Sequence, residues 1–316
     1  MRPVLATIFR AIVGAALAAV LGFAAYAFAG TAGDGTIWAT TFTAGRGLTG
    51  AYARCPADMR VVGGGVLNTG GHGVAIGASG PLDSTVSPPI NPTNAATSTT
   101  DGDMATQWYA GVANASTDPA YEKAFALCST SSDATVQVTH FAIAGRSTGV
   151  KSVSCPTGQR AVGGGVIEYS WPDNRILASG PLDSSGVITN TTDGDVATQW
   201  YSAVHNLPNH TVDFKAFAVC SRDSLATIEA TPLWVRATAT GHATTTCPSG
   251  RRALGGGIIQ KGPARFLRVL DNGPQDASGV AANGSDGAIA QKWYTAIENK
   301  NTQGVNFKVL AVCEPG

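Results

Sequence analysis

The chain of 316 residues carries 21 basic and 21 acidic side chains, and only 13% of its residues are charged. No basic cluster is present, so the composition argues against a nucleic-acid partner. Thr, Ser, Ala and Gly are abundant, which indicates a surface covered largely by hydroxyl groups and small residues and suits an extracellular bacterial protein.

The N-terminal segment has the pattern of a secretory signal peptide. Arg2 and Arg10 precede an apolar run that extends from Ala11 to Ala29. The run ends in a small-x-small cleavage pattern directly before Gly30. We expect residues 1–29 to be removed and the mature chain, residues 30–316, to be secreted without a membrane contact. The alternative is an uncleaved N-terminal membrane anchor, because a run of 19 apolar residues is just long enough to span a bilayer.

The rest of the chain contains three copies of one unit, at residues 33–128, 133–220 and 224–313. In each copy a cysteine precedes a Gly-Gly-Gly triplet by eight residues, and Gly-Pro-x-Asp, Asp-Gly, Trp-Tyr and a second cysteine follow in that order. We expect residues 30–316 to form a single domain, because each copy is small and the linkers are short. A row of three separate sandwiches is the alternative.

Within a copy, short runs of β-branched and aromatic residues alternate with turn residues, and no stretch has helical spacing, which predicts an all-β unit. The first copy has an additional Pro- and Thr-rich segment, Ser84 to Thr100, which we expect to be a surface loop. In the second copy the predicted strands are Val136 to Ile143, Gly149 to Val153, Arg160 to Glu168, Arg175 to Ser179, Thr198 to Val204 and Asp213 to Cys220.

Six cysteines lie at equivalent positions of the three copies. In a secreted chain this pattern indicates disulfides, and pairing within each copy is the simplest symmetric arrangement. The predicted disulfides are Cys55–Cys128, Cys155–Cys220 and Cys247–Cys313. No C-x-x-C or histidine spacing accompanies the cysteines, so we expect no metal site and no cofactor.

Three consecutive glycines interrupt an otherwise apolar strand in every copy. A glycine inside a strand costs roughly 0.5–1 kcal/mol relative to alanine, so the pattern requires a structural reason. Glycine allows another backbone to approach closely, or allows a bulge or sharp bend. We expect equivalent segments of the three copies to meet near a common axis where side chains do not fit. A phosphate-binding loop would need a following helix and usually a lysine, and neither is present.

Each copy has a Trp-Tyr pair, and strand alternation sends its two rings to opposite faces. We expect the tryptophans to lie in the core and the tyrosines nearer to solvent, where they would stack on sugar rings or serve as ordinary sheet aromatics. The pairs are Trp108-Tyr109, Trp200-Tyr201 and Trp293-Tyr294.

Asp101, Asp193 and Asp286 each precede a glycine at the same position of the three copies. The first interpretation is a tight turn in which the carboxylate bonds its own backbone. The second is a ligand or calcium site, because two copies add another Asp after the glycine. The third copy has Ala288 there.

The openings CPTG (Cys155 to Gly158) and CPSG (Cys247 to Gly250), with the closing AFAVC and VLAVC, resemble the β-prism of vitelline membrane outer layer proteins. The resemblance covers the whole mature chain as architecture only, and it implies an all-β fold of three antiparallel units in a pseudo-three-fold arrangement. The glycine triplets, the longer units and Ala57-Asp58 depart from that family. The repeat also resembles one found in secreted actinobacterial proteins, which implies no activity. Sugar binding is supported only by association with the fold.

The sequence contains no H-E-x-x-H motif, and its five histidines occupy unrelated positions in the copies. We therefore expect no catalytic residue, and a secreted binding or structural module whose partner is a glycan or cell-wall polymer. The six Tyr and Asp positions named above are the candidate binding residues. A secreted hydrolase with one asymmetric active site and a purely structural coat or filament protein are the alternatives.

Overall fold

The computed structural model describes residues 34–83, 99–168, 174–260, 265–279 and 285–316. The predicted signal peptide and most of the predicted loop Ser84 to Thr100 lie outside these residues. The described residues contain strands and turns without a helix. In this part of the chain no helix is long and apolar enough to cross a membrane.

Each repeat contributes six strands in the same order. The first repeat forms β1 (Thr36–Ala44), β2 (Gly47–Arg54), β3 (Arg60–Gly70), β4 (Ala75–Leu82), β5 (Gln107–Asn114) and β6 (Ala120–Ser129). The second forms β7 (Thr135–Ile143), β8 (Thr148–Ser154), β9 (Arg160–Glu168), β10 (Asn174–Leu182), β11 (Gln199–Asn206) and β12 (Val212–Ser221). The third forms β13 (Thr227–Val235), β14 (Ala239–Thr246), β15 (Arg251–Gln260), β16 (Leu267–Gln275), β17 (Lys292–Asn299) and β18 (Val305–Pro315).

The all-β prediction is confirmed, and the six strands predicted for the second repeat are all present. The main difference is β10, which continues past its predicted end at Ser179 and through Gly180 and Pro181. β10 pairs with β15 at Ser179 and Ile258, and along its other edge it pairs with β11 as far as Leu182.

Every sheet is shared between two repeats. The strand orders are β1-β6-β3-β16-β17-β14, β7-β12-β9-β4-β5-β2 and β13-β18-β15-β10-β11-β8. The first, sixth and third strands of a repeat form one half of a sheet, and the fourth, fifth and second strands of the preceding repeat form the other half. Because the first repeat pairs with the third, the arrangement closes around a pseudo-three-fold axis. The antiparallel pseudo-three-fold architecture predicted from the sequence is confirmed, and it is compatible with a β-prism.

The three disulfides pair as predicted, Cys55–Cys128, Cys155–Cys220 and Cys247–Cys313, with Cα atoms 5.6 Å apart in each. The first cysteine of a pair follows the second strand of its repeat, and the other lies in the sixth strand. Each bond therefore joins the two sheets to which the repeat contributes. Three such bonds suggest an oxidising, extracellular environment.

Candidate functional site

The first glycine of each triplet meets its counterparts at the pseudo-three-fold axis. A Cβ added to Gly163 would lie 2.3 Å from the carbonyl oxygen of Val62 and 3.0 Å from the Cα of Gly63. The same contact recurs from Gly63 to the third repeat and from Gly255 to the second, with carbonyl oxygens 2.0 and 2.2 Å from the added atom. The predicted backbone contact at a common axis is confirmed, and no side chain fits there.

The second glycine of each triplet makes room for the tryptophan of its own repeat. A Cβ on Gly64 would lie 2.4 Å from Cγ of Trp108. The indole Nε1 donates a hydrogen bond to Ser79 Oγ at 2.9 Å, and the other two repeats have an equivalent bond. Trp108, Trp200 and Trp293 are buried as predicted, so the triplets and tryptophans are structural.

The expectation that the three tyrosines lie near solvent is wrong for two of them. Tyr109 is 2% exposed and Tyr201 is 8% exposed, while Tyr294 is partly buried with its ring 5.9 Å from the ring of His242. Tyrosine side chains on the outward face of the strand are not exposed to solvent here, because their rings pack against small neighbouring residues. A Cβ on Gly50, for example, would be 2.4 Å from the Tyr109 hydroxyl oxygen.

Burial also raises the pKa of Tyr201 to about 12 and the pKa values of the other two tyrosines. Desolvation of the phenolate is the main cause in all three. Tyr109 and Tyr201 therefore have no open ring face on which a sugar could stack without local rearrangement.

The three aspartates at the same position of the repeats connect each repeat to a neighbouring one. Asp101 accepts a hydrogen bond from the backbone N–H of Val138 at 2.6 Å, and Asp193 accepts one from Ala230 at 2.6 Å. Asp286 accepts one from Ala39 at 2.9 Å. The predicted turn is present, since the glycines after these residues have φ between 82° and 86°. The expected bond to the residue's own backbone is wrong, because the acceptor faces the next repeat.

Backbone bonds complete this contact between repeats. Gly102 N–H donates to Val136 C=O, and Val136 N–H donates to Asp103 C=O, both at 2.9 Å. The partner strands β7, β13 and β1 lie at the ends of their sheets, so the Asp-Gly turns cover strand edges that would otherwise be open. The described residues contain no group of three or more His, Cys, Asp or Glu side chains that would hold a metal ion.

A groove of about 580 Å³ lies on the sheet that the second and third repeats share. We call it the third-repeat groove. Its lining includes Ile188 and Thr189 from the second repeat and Pro232, Ile259, Asn306 and Lys308 from the third. The walls are mainly aliphatic, and Asn306 adds an exposed carboxamide.

Trp234 stands beside this groove and is 56% exposed. A Cβ added to Gly304, which lines the groove, would lie 2.1 Å from Cζ2 of the indole, so the ring rests against this glycine. Trp234 is also directly opposite Asn306 in the pairing of β13 with β18. The equivalent positions of the first and second repeats hold Thr43 and Ala142. Sequence reasoning missed Trp234, although it is an unshared tryptophan in an otherwise repeated strand.

Lys308 fixes the wall of the third-repeat groove. Its ammonium donates to the carbonyl oxygens of Ile188, Thr189 and Thr191 at 3.4, 3.0 and 2.7 Å. Lys215 is the equivalent residue of the second repeat, and it donates to Thr99 C=O at 2.8 Å. Three acceptors use all three N–H donors of an ammonium group, so Lys308 holds the loop rather than presenting donors to a ligand. It is also the groove's one ionisable lining residue.

Two carboxyl groups from different repeats flank Asn68. Glu122 is fully buried, and its Oε1 accepts from Asn68 Nδ2 at 2.8 Å while Oε2 has no partner. Desolvation raises the pKa of Glu122 to about 8. Asp271 accepts from Asn68 N–H at 2.5 Å, and burial raises its pKa to about 6. The other repeats have Phe214 and Phe307 at the position of Glu122, so this buried acid was not expected from the repeat.

No protein-family model matches the chain, and no curated protein matches it in sequence.

Proposed function

We propose that this protein is a secreted, non-catalytic binding module that recognises a glycan or cell-wall polymer through the third-repeat groove and Trp234. The observation that carries the proposal is the exposed indole of Trp234 beside this groove, opposite the exposed carboxamide of Asn306. Pockets of this size with apolar walls and a few polar groups are typical of ligand sites. An exposed indole supplies a flat apolar surface and one N–H donor.

The chemistry of the groove favours an uncharged ligand. Lys308 is engaged with three carbonyl oxygens, and the remaining lining residues carry no charge. A sugar ring has an apolar face for the indole and hydroxyl groups for a carboxamide, which both donates and accepts. The proposal replaces the predicted tyrosine platform, whose rings are largely buried, with one site in the third repeat.

The test is a binding screen of residues 30–316 against neutral oligosaccharides and cell-wall polymers, with uronic-acid oligosaccharides as charged comparisons. We expect binding to one neutral class, weakened at least about tenfold by Trp234→Ala and Asn306→Ala. Phe266→Ala is the matched control, since Phe266 is 45% exposed and is not a lining residue of the groove. A ligand that binds Trp234→Ala as well as the parent chain would refute the site. Absence of any ligand would favour the structural coat or filament role.

A hydrolase is the second candidate, and one observation favours it. Glu122 and Asp271 have pKa values raised to about 8 and about 6, and two carboxyl groups with different protonation states are what glycoside hydrolysis requires. Glu122 is 0% exposed, so a substrate cannot reach it without a rearrangement. Hydrolysis of any bound oligosaccharide that Glu122→Gln abolishes would support this candidate over the binding role.

A further inference from the structure

A second cavity, of about 240 Å³, lies where the first repeat departs from the other two. Arg175 is the second residue of β10 and lies opposite His205, and Arg268 is the second residue of β16 and lies opposite Glu298. The equivalent pair in the first repeat is Ala75 and Ala113. These two alanines line the cavity together with both arginines. Two guanidinium groups from two repeats therefore border a space that a missing third arginine leaves open; we call it the arginine pocket.

Arg268 belongs to an ion-pair network next to the arginine pocket. Arg268 Nη1 lies 2.9 Å from Glu298 Oε2, and Lys300 Nζ lies 3.6 Å from the other oxygen of the same carboxylate. One carboxylate thus faces two cations. The Nε of Arg268 is buried and has no hydrogen-bond partner. A guanidinium has five N–H donors in a planar fork that matches the oxygens of a carboxylate, sulfate or phosphate.

His205 reports the same positive environment. Burial, together with the charges of Arg175 and Arg265, lowers the pKa of this histidine, so its neutral form is favoured. His205, which lies opposite Arg175 in the pairing of β10 with β11, therefore adds no further positive charge next to Arg175.

We propose that the arginine pocket binds a small oxyanion, that is, a carboxylate, sulfate or phosphate group, with Arg175 and Arg268 as its ligands. The inference does not rest on the third-repeat groove, and either site can fail without the other. The pocket accepts one anion per chain, because the alanine pair occurs in the first repeat alone.

The experiment titrates residues 30–316 with sulfate, phosphate and acetate in separate arms, with chloride as the ionic-strength control. Binding is followed by calorimetry and by the NMR shifts of the Arg Nε–Hε groups. We expect saturable binding of at least one oxyanion with shifts at Arg175 and Arg268, and at least tenfold weaker binding in Arg268→Gln and Arg175→Gln. Arg236→Gln, which removes an exposed charge elsewhere, should bind like the parent chain.

Ala75→Arg tests the pocket without removing either arginine. The other repeats have arginine at this position, so the chain should fold, and the new side chain should fill the pocket and abolish binding. The proposal is overturned if chloride produces the same shifts as the oxyanions, or if Ala75→Arg folds and binds as tightly as the parent chain. Binding that appears only when the oxyanion exceeds about 0.1 M, without saturation below that concentration, would also count against a specific site.

Discussion

The axis and the outer surface of these three repeats have diverged to very different degrees. At the axis all three repeats have the same glycine triplet, because the backbones of the three copies contact one another there. At the third-repeat groove the equivalent positions hold Trp234, Ala142 and Thr43, and at the arginine pocket they hold arginine in two repeats and alanine in one. Close packing of the backbones allows only glycine at the axis, whereas the surface tolerates a different residue in each repeat.

This difference shows where to look for function in a repeated protein. A feature present three times is explained here by symmetry and packing, as the Trp-Tyr pairs and the Asp-Gly turns illustrate. A feature present once has no such structural reason. Trp234, the alanine pair and Glu122 are all of this second kind.

The largest expected effect is that of a methyl group at the axis. Gly163→Ala would place Cβ 2.3 Å from the Val62 carbonyl oxygen, and the contact is with backbone, which cannot rotate away. We expect the variant to lose more than about 3 kcal/mol of unfolding free energy or to fail to fold, measured by denaturant unfolding. Gly45→Ala is the control, because nothing lies within 4 Å of an added Cβ there. A Gly163→Ala chain as stable as the control would disprove the close packing of the axis.

The disulfides should have nearly equal effects in the three repeats, since they close loops of 73, 65 and 66 residues. The double change Cys155→Ala with Cys220→Ala should cost about 2–4 kcal/mol, mainly through the entropy of the unfolded chain. The measurement is thermal and denaturant unfolding of each double variant. Losses that differ several-fold between repeats would mean that the repeats are not equivalent in folding.

Glu122 should make the stability depend on pH. Its pKa rises from 4.5 to about 8 on folding, so the folded state holds a proton that the unfolded state has released between these values. The stabilisation is complete below about pH 4.5 and is lost as the pH rises to about 8, by at most about 1.4 kcal/mol per pH unit.

Glu122→Gln removes this titration. We expect the parent chain to lose stability relative to the variant between pH 5 and pH 8 in unfolding experiments. Asp271 has the same sign over a lower range, from 3.8 to about 6, and it is present in both chains. Because the charge of Asp271 also raises the pKa of Glu122, the difference between the two profiles reports Glu122 together with its coupling to Asp271. Parallel pH profiles would show that Glu122 ionises normally in the folded protein.

The smallest effect concerns the contacts between repeats at the strand edges. Asp193→Ala removes one acceptor for the Ala230 N–H, and at this exposed position we expect a loss of about 1 kcal/mol. Hydrogen exchange of that amide should become faster, while Asp223→Asn, at another exposed acid, should leave it unchanged. An unaltered Ala230 amide would mean that the backbone bonds alone hold the turn on β13.

The sequence by itself determined the repeats, the strands, the cysteine pairs and the need for glycine at the axis. Strand signals and turn residues act over about ten residues, so they are readable without a fold. The comparison of three copies supplied the rest: cysteines at equivalent positions leave few symmetric pairings, and a glycine triplet repeated three times points to a contact that excludes side chains. The expected exposure of the tyrosines failed because alternation assigns a face of the sheet and not what covers that face.

The tertiary structure alone decided which repeat pairs with which, where the Asp-Gly turns bind and which surfaces stay open. The bond from Ala39 to Asp286 joins residues 247 positions apart, and the arginine pocket takes its lining from all three repeats. Such contacts depend on how whole sheets close around the axis. No local pattern of residues encodes such long-range contacts. A strand with the same alternation would fit equally well into a sheet formed by its own repeat or into a sheet shared with a neighbouring repeat.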